Sequence, residues 1–146
     1  MRHLLAFAIA FAFATAALAA DDCQQLSTLS CGTTQASLSA SDCLATDSSR
    51  YRLWQFSGSA GDAVTIEMQS NAFDTFLMLL DPSGKPVVDN DDDVSGNTNS
   101  RIAFTLTANG TWTVVANSLT ANQAGDYTIS LSCPAAAGPR RRAAGH

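Results

Sequence analysis

The densest cluster of oxygen-bearing side chains in this 146-residue sequence runs from Asp89 to Asn99 and reads DNDDDVSGNTN. Asp91, Asp93, Ser95 and Gly96 follow the opening of a D-x-D-x-S-G calcium loop, and Asn97 and Asn99 supply further oxygens. The carboxylates of Asp89, Asp91, Asp92 and Asp93 repel one another unless a cation or solvent separates them. Calcium, a hard cation that takes oxygen ligands, is the cofactor such a loop would hold. The pattern departs from a helix-flanked calcium site, because Ile102 stands where the bidentate glutamate would be and no flanking helices are predicted. The competing reading is a solvated turn whose Asx side chains cap their own backbone amides.

Other reactive chemistry is sparse. The only histidines, His3 and His146, lie at the two ends of the sequence, so a serine or cysteine triad and a histidine-ligated zinc site inside a fold both lack their central residue. Glu67 is the only glutamate, and a glycosidase carboxyl pair would have to be built from aspartates. Asp74 and Thr75 match the start of an aspartic-protease loop, but Phe76 replaces the glycine that lets that loop form. No catalytic residue is assigned, and the chain is not expected to be an enzyme.

Charge and processing signals place the protein outside the cytoplasm. A basic start (Arg2, His3), an unbroken apolar run from Leu4 to Ala14 and small residues at Ala17 and Ala19 make residues 1–19 a secretory signal peptide, with cleavage after Ala19. The residues before Cys23 do not form a lipidation box, and no later segment is apolar enough to span a bilayer. From Asp21 to Pro134 there are 13 acidic and 4 basic residues, a net charge of −9, while Arg140, Arg141 and Arg142 put +3 on the tail. An acidic body argues against nucleic acid as a partner, since that binding needs a cationic surface. The protein is expected to be secreted or periplasmic and monomeric, with residues 20–134 as one domain and residues 135–146 as a disordered tail. Cys23, Cys31, Cys43 and Cys133 read as two disulfides with three connectivities open.

The elements that would position these groups are strands. Short β-type runs alternate with turn clusters and no sustained 3.6-residue period occurs, which predicts strands at 33–38, 50–57, 63–70, 75–80, 86–89, 101–107, 111–117 and 126–133. Eight such strands form an antiparallel β-sandwich. Alternation points Trp54, Phe56, Val64, Ile66, Met68, Ile102, Phe104, Leu106, Trp112, Val114, Tyr127, Ile129 and Leu131 inward. The run FLMLL at 76–80 does not alternate, so it is either a central strand covered on both faces or it exposes Phe76 and Met78. Asp81 to Lys85 form a turn around Pro82 and Gly84, and Ala108, Asn109 and Gly110 read as a tight hairpin link.

Several blocks then form a recognisable series: RYRLWQF, AGDAVTIEM, FDTFLMLLDPSG, the NDDD loop, G-x-W-T-V and finally G-D-Y-T-I-S-L. From about Gly32 to Leu131 the sequence resembles the bacterial pre-peptidase C-terminal (PPC) domain family. The resemblance implies a jelly-roll-like sandwich of eight or nine strands. Such domains accompany exported peptidases and are associated with substrate binding, secretion or maturation, not catalysis. It also implies that the first strand, starting after Cys31, pairs antiparallel with the last, ending at Cys133. That brings Cys31 to Cys133 and leaves Cys23 for Cys43; the competing arrangement is Cys23 with Cys133 and Cys31 with Cys43.

The expected function is a non-catalytic binding module that recognises extracellular protein or polysaccharide through one sheet face, with Tyr51, Phe76 and Met78 as the exposed apolar side chains. Two alternatives stand beside it: a structural or envelope-associated exported protein, and a secreted inhibitor or propeptide-like partner of a separate protease.

Overall fold

Alternation of apolar and polar residues along short segments gives a chain whose side chains can bury one face of each strand and wet the other. The computed structural model describes residues 25–90 and 97–134, and among these every regular element is a strand. In chain order they are β1 (Leu26–Thr28), β2 (Gly32–Leu38), β3 (Cys43–Leu44), β4 (Arg50–Gly58), β5 (Ala63–Gln69), β6 (Thr75–Leu80), β7 (Pro86–Asn90), β8 (Ser100–Thr105), β9 (Gly110–Ser118) and β10 (Gly125–Ser132). The eight expected strands are present within two residues at each end, and the short β1 and β3 add two more. The expected signal peptide and the arginine-containing tail lie outside the described residues. Among those described, no helix is long and apolar enough to cross a membrane.

The strands form two sheets that pack face to face. The six-stranded sheet has the order β1-β4-β9-β6-β7, with β3 also pairing with β4; the four-stranded sheet has the order β2-β10-β5-β8. All pairs are antiparallel except β1 with β4. Trp54, Phe56, Leu77, Leu79, Trp112, Val114 and Ala116 from the first sheet meet Val64, Ile66, Met68, Ile102, Tyr127, Ile129 and Leu131 from the second in one core. Removing a buried aromatic such as Trp112, which is fully enclosed, would cost roughly 3–5 kcal/mol. Phe104, expected inside, is only half-buried; it sits at the margin with its ring tilted 6.0 Å from that of Trp112.

Two local readings meet different outcomes. Asp81 shapes its turn as expected: its Oδ1 accepts from the Ser83 amide, the Ser83 hydroxyl and the Lys85 amide, and Gly84 takes φ +84°. The Ala108–Gly110 link is not a hairpin. It carries the chain from β8 in the four-stranded sheet to β9 in the six-stranded sheet, with Gly110 at φ +137°. A tight turn chemistry suits either connection, because it sets chain direction and not the partner strand.

β2 and β10 pair over their full lengths, with Gly32 opposite Leu131, and this register brings Cys31 and Cys133 into a disulfide with Cα atoms 5.7 Å apart. The alternative that joins Cys31 to Cys43 is thereby excluded. Cys43 is itself disulfide-bonded, and Cys23 lies outside the described residues.

Candidate functional site: the outer face of the six-stranded sheet

Because β4, β9 and β6 are neighbours, their outward side chains line up across the strands. In one row, Tyr51 stands opposite Asn117, which stands opposite Phe76. In the next, Leu26, Leu53, Val115 and Met78 follow one another from β1 to β6, and Asp89 on β7 ends the row. Gln55, Thr113 and Leu80 make a third. From Tyr51 to Leu80 these side chains are half-buried, while Leu26 is exposed. The three residues singled out in the sequence, Tyr51, Phe76 and Met78, therefore share one surface, but each is half-buried by its strand neighbourhood and not exposed as expected.

The run FLMLL is resolved by the same arrangement. β6 lies between β9 and β7; Leu77 and Leu79 point into the core and are fully enclosed, while Phe76, Met78 and Leu80 point outward. Sequence reasoning did not include Leu26, Leu53, Leu80, Val115 and Asn117 in this surface. The available signal was an apolar residue at an outward position of an alternating strand, as at Leu53 and Val115. Asn117 sits in the middle of the patch, and its side-chain oxygen is buried with no hydrogen-bond partner among the described residues.

The opposite face of the molecule has another character. The outward positions of β2, β10 and β5 are Thr33, Gln35, Ser37, Asp126, Thr128, Ser130, Thr65, Glu67 and Gln69. An open groove of about 1040 Å3 lies there, lined by Gln35, Gln69, Asn71, Asn99, Asp126 and Thr128 among others. Its rim is held by the Ser70 hydroxyl, which donates to the Asp126 carbonyl at 2.7 Å and accepts from the Ala72 amide at 3.0 Å. Among the described residues this groove carries no exposed aromatic ring and no cluster of titratable groups. The apolar face is the more unusual feature of a soluble surface.

Of the acidic loop, Asp91, Asp92, Asp93 and Ser95 lie outside the described residues. Its feet are described. Asn90 Oδ1 accepts from the Arg101 amide, Asn97 Oδ1 from the Asn99 amide, and Asn99 Oδ1 from the Ser70 amide. Beneath them the Thr75 and Ser100 hydroxyls bond each other at 2.7 Å, and Thr75 Oγ1 donates to the Thr98 carbonyl at 2.9 Å. Asp89 is exposed at the edge of the apolar face. Among the described residues no group of three or more His, Cys, Asp or Glu side chains is placed to hold a metal ion.

Residues 50–118 match the model of the bacterial pre-peptidase C-terminal domain family. The fold is similar to the crystal structure of the pre-peptidase C-terminal domain of a collagenase from Bacillus anthracis, with a TM-score of 0.55 and 12% identity, covering 75% of this chain and 96% of that one. A second similar structure is PliG of Aeromonas hydrophila, a periplasmic lysozyme inhibitor of g-type lysozyme, with a TM-score of 0.43 and 12% identity, covering 74% of this chain and 98% of that one. No curated protein matches.

Proposed function

We propose that this protein, whose residues 50–118 match the model of the bacterial pre-peptidase C-terminal domain family, is an exported, non-catalytic module that binds an extracellular macromolecule through the outer face of its six-stranded sheet. The observation that carries the reading is the continuity of the apolar rows: Tyr51 and Phe76 flank Asn117, and Leu53, Val115 and Met78 adjoin one another. Scattered single apolar residues are ordinary on a protein surface, but a contiguous patch rimmed by polar residues marks a contact site. The patch is mostly aliphatic and thioether. Sugar rings are held chiefly by stacking on aromatic faces, so this composition favours a protein segment over a polysaccharide.

The test is retention of secreted proteins and cell-wall material from a culture on immobilised protein, compared with a Tyr51→Ser/Met78→Ser variant. The variant should lose most of the retention while its melting temperature stays close to the parent's. Equal retention by parent and variant would refute this face as the site. Retention of purified wall polysaccharide, with no protein captured, would reassign the partner class.

A further inference from the structure

Every open sheet has two edges, and an exposed edge is a row of unpaired N–H and C=O groups unless something blocks it. Three of the four edges here are blocked. One margin of the six-stranded sheet is divided between β1 and β3, of three and two residues. The other, β7, begins at Pro86, carries exposed Asp89 and has an irregular register at Leu79/Leu80. In the four-stranded sheet, β8 carries exposed Arg101, whose backbone N–H is taken by Asn90 Oδ1 at 2.9 Å. The fourth edge, β2, differs from all of these. Its seven residues, GTTQASL, include no charge and no proline, its register with β10 is unbroken, and among the described residues its only strand partner is β10.

A second observation falls on the same margin. β2 packs over β4, and the outer side of β4 carries β1 and β3. On those two elements stand the large apolar side chains most exposed to water, Leu26 at 48% and Leu44 at 55%. On this side of the sandwich Leu44 thus joins the backbone edge of β2, whereas Leu26 belongs to the outer apolar row with Leu53.

We propose that this margin is a homodimer interface, in which β2 of one copy pairs antiparallel with β2 of a second copy about a two-fold axis at Gln35. The register follows from the pleat. Residues opposite each other in an antiparallel pair share a face, so the axis must pass through a residue position, and Gln35 is the one that uses all seven. Gly32 then faces Leu38, Thr33 faces Ser37, Thr34 faces Ala36, and Gln35 faces its own copy. Polar meets polar on the watered face. The contact brings no like charges opposite each other, which matters for a body of net charge −9 between Asp21 and Pro134. The two four-stranded sheets become one sheet of eight, and a two-fold axis closes the assembly so that no edge of this kind remains open. This departs from the monomer expected from the sequence and is independent of what the apolar face binds.

Sedimentation equilibrium of the protein exported from the full chain tests the proposal, with Gln35→Lys and Gln35→Glu as paired variants. Gln35 is exposed and its replacement should leave the circular dichroism spectrum as it was. The parent should sediment at twice the monomer mass. Each variant alone should lose the dimer, because like charges face each other at the axis. An equimolar mixture of the two should regain it, lysine opposite glutamate. A parent that stays monomeric to millimolar concentration overturns the proposal. So does a variant that dimerises as well as the parent, or a mixture that remains monomeric.

Discussion

Trp54 on β4 donates its indole N–H to the hydroxyl of Tyr127 on β10 at 3.1 Å, a buried bond that joins the two sheets through the core. The Tyr127 ring also meets Phe73 edge-on, with centroids 6.1 Å apart. Neither polar atom has water to turn to, so each needs the other. Tyr127→Phe should therefore leave the Trp54 N–H unsatisfied and lower stability by roughly 1–3 kcal/mol. Urea denaturation measures it. Pairing the change with Trp54→Phe should recover part of the loss, and a strictly additive double variant would contradict the coupling.

Burial pushes the Tyr127 hydroxyl up from its ordinary value of 10.0 to about 12, against the opposing effects of the Trp54 hydrogen bond and the Arg52 charge. The folded state then holds this proton more tightly than the unfolded state does. The corresponding stability is intact below pH 10 and is lost as the pH rises toward 12. Tyrosinate absorbance should show one ionisation near pH 12 in the folded protein, and unfolding should move it to about 10. Complete ionisation of both tyrosines near 10 in the folded state would rule this out.

The Cys31–Cys133 bridge spans 102 residues and ties the start of β2 to the end of β10. Closing so long a loop restricts the unfolded chain, a contribution on the order of 2–5 kcal/mol. The Cys31→Ser/Cys133→Ser variant should melt well below the parent while keeping its β-sheet circular dichroism. An unchanged melting temperature would show that the β2–β10 ladder holds this end of the sandwich without covalent help.

Gly125 adopts φ +142°, and a Cβ there would run into Ala72 Cβ. Both the backbone conformation and the packing are unsuited to any other residue. Gly125→Ala should destabilise the fold by about 1–3 kcal/mol, measured by thermal melting, and a neutral result would mean that loop 70–73 shifts freely.

Calcium in the 89–99 loop is a proposal that rests on the sequence. It predicts that the melting temperature rises with free calcium, by roughly 2.7 kcal/mol of stability at about 100 times the dissociation constant. Asp91→Ala and Asp93→Ala should remove the rise. A melting temperature indifferent to millimolar calcium and to chelator would identify the loop as a solvated turn.

Much of this structure could be read along the chain. Strands β4, β5, β9 and β10 announce themselves by alternation, because a residue pointing into a dry core must be apolar and its neighbour must face water. Turns such as Asp81–Lys85 are equally local, since the Asp81 carboxylate and Gly84 act within five residues. The pairing of β2 with β10 follows from resemblance to a family, and no spacing in the chain encodes it.

The remaining features depend on contacts between distant segments. Asn109 and Gly110 favour a tight link whether the next strand lies alongside or in the opposite sheet, so only the assembled sandwich shows that β8 and β9 belong to different sheets. Phe76 and Met78 could have been covered or exposed, and the order β4-β9-β6 decides it by setting Tyr51, Leu53, Val115, Phe76 and Met78 side by side on an outer face. The sequence by itself determined which residues of each strand share a face. Which faces and edges adjoin was decided by the tertiary structure, because strand order is set by long-range hydrogen bonding and burial that no local pattern records.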